Sequence, residues 1–542
     1  MAKKTNLKSS SDNKILLTVK EIKLKHFLLI AIILISAALR FYKAQQLFFW
    51  NVDEDILGLT IKKILVNHDI QLIGNPIPGG LFIGPAFYYL ASFPYLIARM
   101  NPEILPVFSA LIGIFTTFLV YKIGKIIFEK ELIGIFGATI YGFSFLVNAY
   151  NRLLTSLTLT PILVLLTYLI LYQNLKLKRP KNLLWLGLIL IIATQNEGSS
   201  FSLLALTIVI WFVYRFKTPI SKLTNILLMF ILFNLPLLIF DLKHNFFLTK
   251  SNLHFFLKGL NPLKAEGLDF SPLDLQLLSS ILNFLPRTLS RFLFISGQND
   301  INNQILPCPD LIASRISQIP PAAFILAIIV IGFFFLRQIV EKKVTFGERI
   351  ILVHIITIIL GISFYSLFLP GYLFEWILVI LFPAFALITA YFLNVLYRQK
   401  TFGKLLAYSI ILVFLLYNIR SLIMASGHFG LSSKVNSVKF ALSEVKGRPF
   451  YLESLGSCYS QGYLYLFWYY GQSPSHTIGI GTNFAQTLVP SPEGPKPNLG
   501  VVLVNPSETE TQEFKNKYNL YKTKTVKSKK IKDIEVLIVE EN

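Results

Sequence analysis

Cysteine is nearly absent: Cys308 and Cys458 are the only two in 542 residues. That excludes a disulfide framework and any cysteine-rich metal site. Charge is scarce as well, at 15% of residues, where soluble domains carry about a quarter. Several motifs are missing: no P-loop, no G-x-S-x-G, no H-E-x-x-H and no histidine cluster, so ATP hydrolysis and zinc chemistry have no support. No internal repeat points to an inverted-repeat transporter. The first apolar run, Phe27–Leu39, follows a long polar lead-in and ends in Arg40 without a small-x-small cleavage site. It therefore reads as an uncleaved first span.

Acidic residues are the scarcer sign, 29 against 51 Lys and Arg, for a net charge of +22. In a soluble chain that excess would suggest nucleic acid. Here the basic residues are scattered between hydrophobic runs, so nucleic acid is not an expected partner and retention on the cytoplasmic face accounts for the sign. What the chain has in abundance is apolar length. Hydrophobic residues make up 54%, and runs such as Leu157–Leu171, Leu223–Phe240 and Ile350–Leu369 approach bilayer-spanning length. The fold class is an α-helical polytopic membrane protein.

Side assignment turns on Gly80–Met100, an apolar segment broken by Pro85 and Pro94 and rich in Phe and Tyr. Placed in the interface, it leaves eleven spans: 26–43, 103–121, 131–149, 156–173, 183–194, 199–214, 223–241, 320–336, 350–368, 372–396 and 405–423. The loops 122–130, 174–182, 215–222, 337–349 and 397–404 then lie inside, with three or four basic residues each, while the short outside connections hold only Arg152. The opposite choice inverts this pattern and breaks the positive-inside rule.

This gives a basic cytoplasmic N-terminus (1–25), a transmembrane module (26–423) and outside loops 44–102 and 242–319. A small extracytoplasmic α/β domain (424–542) follows, with expected strands Phe450–Glu453, Gly500–Val504 and Ile534–Val539 and expected helices Gln461–Tyr470 and Glu508–Tyr518. The expected location is a plasma membrane, multi-pass. With Cys308 and Cys458 both outside, one bridge between them stays open.

Polar groups near the bilayer are costly and so informative. Asp53, Glu54 and Asp55 follow the aromatic anchor Phe48-Phe49-Trp50 in the first outside loop. They fit a helix start, with Asp53 as the cap, and equally a catalytic carboxylate at the interface. Arg152, in Tyr150-Asn151-Arg152, fits snorkelling or a phosphate clamp. Lys243 and His244 end the seventh span, where they fit interfacial charge or a phosphate contact that Asp241 would orient. Arg287 and Arg291 sit on an amphipathic stretch, Leu273–Phe294, expected on the membrane surface. Glu197 falls in a polar outside turn, and Glu375, near the outer end of the tenth span, is expected to face the bundle interior.

The order of these features resembles the GT-C membrane glycosyltransferases, in particular the dolichyl-phosphate-mannose–protein mannosyltransferase and lipid A aminoarabinose transferase group. The features are Ala38-Leu39-Arg40-Phe41-Tyr42, then Asp53-Glu54, the Gly84–Tyr89 segment, Tyr121–Phe128 and Tyr150-Asn151-Arg152. The resemblance is best over residues 26–250. It implies transfer of a sugar from a polyprenyl-phosphate carrier, on the outer face and with inversion, to a protein, lipid or polysaccharide acceptor. Asp53 falls on the position of the base and Glu54 on its neighbour. The carrier phosphate would meet Arg152, Lys243 and His244, with Arg287 or Arg291. No cofactor beyond the donor is implied, and a divalent metal stays open. One departure stands out: relatives often carry a second acid soon after Tyr-x-Arg, whereas this chain reads Leu153-Leu154-Thr155-Ser156-Leu157. Glu197, Glu375, Asp241 and Asp55 are the accessory acids available. A lipid-linked saccharide flippase and a non-catalytic member are the alternatives.

Overall fold

The computed structural model describes residues 24–77, 81–178, 181–259, 275–295, 320–341, 344–368, 375–425, 427, 429–456, 461–478, 494–505 and 512–541. Cys308 and Cys458 lie outside them.

Among the described residues, eight helices are long and apolar enough to cross a membrane: Leu24–Phe41, Pro102–Ile127, Ser156–Leu177, Ile220–Lys243, Pro321–Val340, Phe346–Phe364, Glu375–Arg398 and Thr401–Met424. Each falls on an expected span. The other three expected spans fall on shorter apolar helices, Glu131–Phe143, Leu183–Asn196 and Gly198–Val213. Glu131–Phe143 stops at Ser144, which caps a second helix, Phe145–Tyr150, by accepting from the Val147 N–H. The Gly80–Met100 segment contains one helix, Ala86–Ile97, of 12 residues. At about 1.5 Å per residue it falls short of a core of about 30 Å, as do Glu131–Phe143 with 13 residues and Leu183–Asn196 with 14.

A buried cluster through the bundle includes Tyr168, Leu171, Ile355, Phe385 and Leu393. By contrast, Ile220–Lys243 packs on Leu183–Asn196, buries only Asp241 and leaves most of its side chains exposed, as a lipid-facing helix should. The amphipathic stretch is a helix, Leu275–Leu293. Instead of resting on a surface, it packs against Pro321–Val340 and Phe145–Tyr150 and buries Phe284, Leu289 and Phe292.

A small hairpin, β1 (Pro76–Ile77) and β2 (Leu81–Phe82), precedes Ala86–Ile97. The C-terminal part is built on a mixed five-stranded sheet of β3 (Tyr451–Leu455), β4 (His476–Ile478), β5 (Leu499–Val504), β6 (Thr525–Ile531) and β7 (Ile534–Glu540), in the order β4-β3-β5-β7-β6. β3 runs parallel to β4 and β5, and β7 runs antiparallel to β5 and β6. Helices Leu431–Val445, Leu464–Tyr470 and Gln512–Thr523 complete it. Three strands match expectation. β4 and β6 do not, because β4 is three residues long and β6 is a lysine-rich edge without apolar alternation. Leu431–Val445 also went unread, since its start follows the last span closely.

The sheet does not stand alone. One buried cluster runs from Phe48, Trp50 and Leu57 through Tyr95 to Tyr465 and Val501, so the loop after the first expected span and the C-terminal sheet share a core.

Candidate active site

Helix Val52–Leu65 carries the three adjacent carboxylates, and they meet three different fates. Its N-cap is Asn51, not Asp53 as the sequence suggested. Glu54 is buried and folds back on its own helix start, its Oε2 accepting the Asn51 N–H at 2.9 Å. Burial first, and then the charge of Asp53, push the Glu54 carboxyl up to about 8. Asp55 is buried too and reaches into the C-terminal domain. It accepts the Leu464 N–H at 3.0 Å and the Tyr465 N–H at 2.9 Å. Burial pushes its carboxyl up to about 7 against the opposing pull of those two bonds.

Asp53 alone is exposed, and it makes no hydrogen bond or ion pair with any described residue. Yet protein surrounds it closely enough that desolvation raises its carboxyl above the ordinary range. An accessible acid in a walled recess is the arrangement a general base needs.

Two groups share that recess. Tyr88, on Ala86–Ile97, feels the charge of Asp53 and donates its O–H to Asn75. Glu197, between Leu183–Asn196 and the next helix, has its carboxyl raised by burial, with the Asp53 charge adding to it. Its Oε2 accepts from the Ser156 hydroxyl at 3.0 Å and its Oε1 from the Gly198 N–H at 3.1 Å. Ser156 belongs to the very segment where the sequence lacks the expected second acid. Two residues before Glu197, the Gln195 side chain packs directly on Gly84, where a Cβ would come within 2.5 Å of it.

Arg152 is buried under the same loop. Its backbone carbonyl accepts the Phe49 N–H at 2.7 Å, and its Nη2 donates to Leu39 O at 3.3 Å. Its neighbour Asn151 accepts from Arg40 Nε at 3.2 Å, so the two arginines lace the turn to the first span reciprocally. Burial, and then the charge of Arg40, lower Arg152 to about 10. Its Nε has no partner among the described residues, a state that costs about 1–3 kcal/mol or more for a charged group.

The other predicted residues divide. Glu375 pairs with Arg291 at 2.5 Å, both largely buried. That commits Glu375 to an ion pair and removes it as a free acid. Arg287, one turn earlier, is buried; its carbonyl accepts the Ser290 hydroxyl at 2.6 Å, and its guanidinium Nε has no partner among the described residues. Asp241 does not orient Lys243 or His244. It takes the N–H groups of Leu248 and Thr249 and the Thr249 hydroxyl, and so starts the next helix. Lys243 is exposed, and His244 stacks on Phe240 with ring centroids 4.0 Å apart.

Four buried residues were given no site role from the sequence. Arg40 and His354 carried the signal of an ionisable group in an apolar run; His354 bonds Tyr168 Oη at 2.5 Å and Ser202 at 3.3 Å. Tyr88 looked like one interfacial aromatic among several. Lys434, which donates to Gln461 O, carried no signal at all. Among the described residues no group of three His, Cys, Asp or Glu could hold a metal ion.

The profile of the family described as dolichyl-phosphate-mannose-protein mannosyltransferase matches residues 83–240, less than a third of the chain. No curated protein matches the chain. Among solved structures, ArnT from Cupriavidus metallidurans bound to undecaprenyl phosphate aligns at a TM-score of 0.55 and 10% identity, over 94% of this chain and 97% of that one. The Archaeoglobus fulgidus oligosaccharyltransferase in its apo form aligns at 0.47 and 13% identity, over 81% of this chain and 63% of that one. AglB from Archaeoglobus fulgidus, in complex with an inhibitory peptide and a dolichol-phosphate, aligns at 0.46 and 11%, over 87% and 69%. The first of these likenesses establishes the fold along nearly the whole length. The chain resembles the GT-C superfamily of membrane glycosyltransferases.

Proposed function

We propose that this membrane protein transfers a sugar from a polyprenyl-phosphate carrier to an acceptor hydroxyl on the outer face, with inversion at the anomeric carbon. The observation that carries the reading is Asp53: of three adjacent carboxylates it alone is accessible and uncommitted. It also lies in the fold seen for ArnT with undecaprenyl phosphate bound.

In the reaction, Asp53 takes the acceptor proton while the acceptor oxygen attacks the anomeric carbon. The bond from that carbon to the carrier phosphate breaks, and the phosphate leaves with the electron pair. A sugar phosphate already has a good leaving group, so a single base suffices, and such help is worth roughly 10²–10⁴ in rate. Arg152 and Arg287 supply positive charge for the departing phosphate, and Lys243 and His244 receive the carrier at the rim. Glu197 is the second acid: it stands beside the segment where relatives carry theirs, while Glu375, Asp241 and Asp55 are committed elsewhere. The chain crosses the membrane eleven times, with the N-terminus cytoplasmic and the C-terminal domain outside. A protein, lipid or polysaccharide serves as acceptor.

The test is release or transfer of labelled sugar from polyprenyl-phosphate donors by purified wild type and Asp53→Asn. The expected result is turnover in wild type and a loss of about 10²–10⁴-fold in the variant at equal folded protein. Near-normal turnover in Asp53→Asn moves the base elsewhere. Carrier translocation without sugar transfer makes the protein a flippase.

A further inference from the structure

The three carboxylates sit on the first turn of one helix, where successive residues are about 100° apart. Asp53 and Asp55 therefore point about 200° apart, to nearly opposite faces. What holds one face sets the direction of the other.

The face of Asp55 continues at Gly58 and Lys62, at the i, i+3 and i+7 spacing of one helical stripe. All three meet the same short aromatic helix of the C-terminal domain, Leu464–Tyr470. Asp55 accepts its first two N–H groups. The Tyr465 ring lies where a Cβ on Gly58 would be, 2.6 Å from its Cγ. Lys62 Nζ lies 4.7 Å from the centre of the Trp468 ring. Around this stripe, the Trp50 indole N–H donates to Gly462 O at 2.7 Å. Tyr465 donates its hydroxyl to Met100 O at 2.5 Å, and Tyr470 donates its own to Glu103 at 2.8 Å. The aromatic helix is thus bound to both ends of the loop that carries Asp53.

We infer that the C-terminal domain positions the catalytic loop, with Asp55 as the positioning residue whose hold on Leu464 and Tyr465 fixes the rotation of Val52–Leu65 and so aims Asp53 into its recess. The inference rests on the proposed role of Asp53. It gives the outer domain a part in turnover and separates Asp55 from Asp53 by task. A displacement of about 1 Å in a reacting group costs about 10²-fold, so loosening the stripe should lower kcat and leave carrier binding intact.

The experiment compares full-length wild type, Asp55→Asn, Asp55→Ala and Tyr465→Phe on two readouts. The first is amide hydrogen exchange over 52–65 and 464–470. The second is kcat and KM for the polyprenyl-phosphate donor. Asn keeps one acceptor oxygen and Ala keeps none, so exchange should quicken and kcat fall in the order Asn then Ala, by about 10- to 100-fold, with KM unchanged. Tyr465→Phe keeps the packing and removes one hydrogen bond. It should fold even where Asp55→Ala does not, and should lose a few-fold in kcat, about what one bond is worth. Unaltered exchange over 52–65 in every variant overturns the inference, as does quickened exchange with full kcat or a loss confined to KM. Should wild type itself transfer no sugar, the proposed activity fails, while exchange over 52–65 still reports whether the aromatic helix sets that loop.

Discussion

Three neighbours of like charge can serve three purposes because a helix turn sends them to three environments. Asp53 meets a recess, Glu54 its own N-terminus and Asp55 another domain. Glu54 makes this measurable. Its carboxyl, ordinarily near 4.5, is raised to about 8, so the folded protein holds a proton that the unfolded chain releases. Where the folded state binds more protons, stability falls as pH rises. Its contribution is therefore full below about pH 4.5 and is lost as pH climbs toward 8. Asp55, raised to about 7, adds a slope of the same sign. Glu54→Gln keeps an acceptor for the Asn51 N–H, as a capping partner can, and cannot titrate. Thermal unfolding in detergent should show Tm of the wild type falling between pH 5 and 8, and a flatter profile in Glu54→Gln. Equal slopes would show that Glu54 is already ionised in the fold.

Among elements, eight of the expected spans were legible as membrane-length helices because apolar length is a local property, and the other three fall on shorter apolar helices. The short apolar helix Ala86–Ile97 falls within the segment that its prolines and aromatics set apart. Contacts between distant elements were not legible. Asp55 and Leu464 are separated by 409 positions, and nothing local in the acidic triplet says which member faces the C-terminal domain. The cap was a nearer miss: Asn51 and Glu54 have the spacing of a capping box, and the more conspicuous Asp53 drew the assignment. Gly58 tests the packing between elements. In an exposed helix, Gly to Ala stabilises by about 1 kcal/mol. Here the added Cβ would sit 2.6 Å from Cγ of the buried Tyr465 ring, and overpacking costs about 1–3 kcal/mol. Gly58→Ala should lower Tm despite its better helix propensity. A raised Tm would mean the ring has room to move.

For the whole molecule, every side assignment depends on whether Ala86–Ile97 crosses. Its 12 residues reach about 18 Å, under a core of about 30 Å, but Glu131–Phe143 and Leu183–Asn196 are barely longer, so length does not single it out. The C-terminal sheet also shares its core with the loop on the other side of this segment in sequence, which requires both to lie on one face of the membrane. The charge pattern and the shared core point the same way if the other ten expected spans cross. The proposed topology puts Lys178 inside and Lys446, which ends helix Leu431–Val445, outside. With single cysteines at these two positions in a background lacking Cys308 and Cys458, a membrane-impermeant maleimide should label Lys446→Cys in intact cells. Lys178→Cys should react only after permeabilisation. The reverse pattern would turn the bundle over and put the recess of Asp53 on the cytoplasmic face. Labelling of both in intact cells would mean an odd number of crossings between them has been misread, with the short helices Leu183–Asn196 and Gly198–Val213 the first to re-examine.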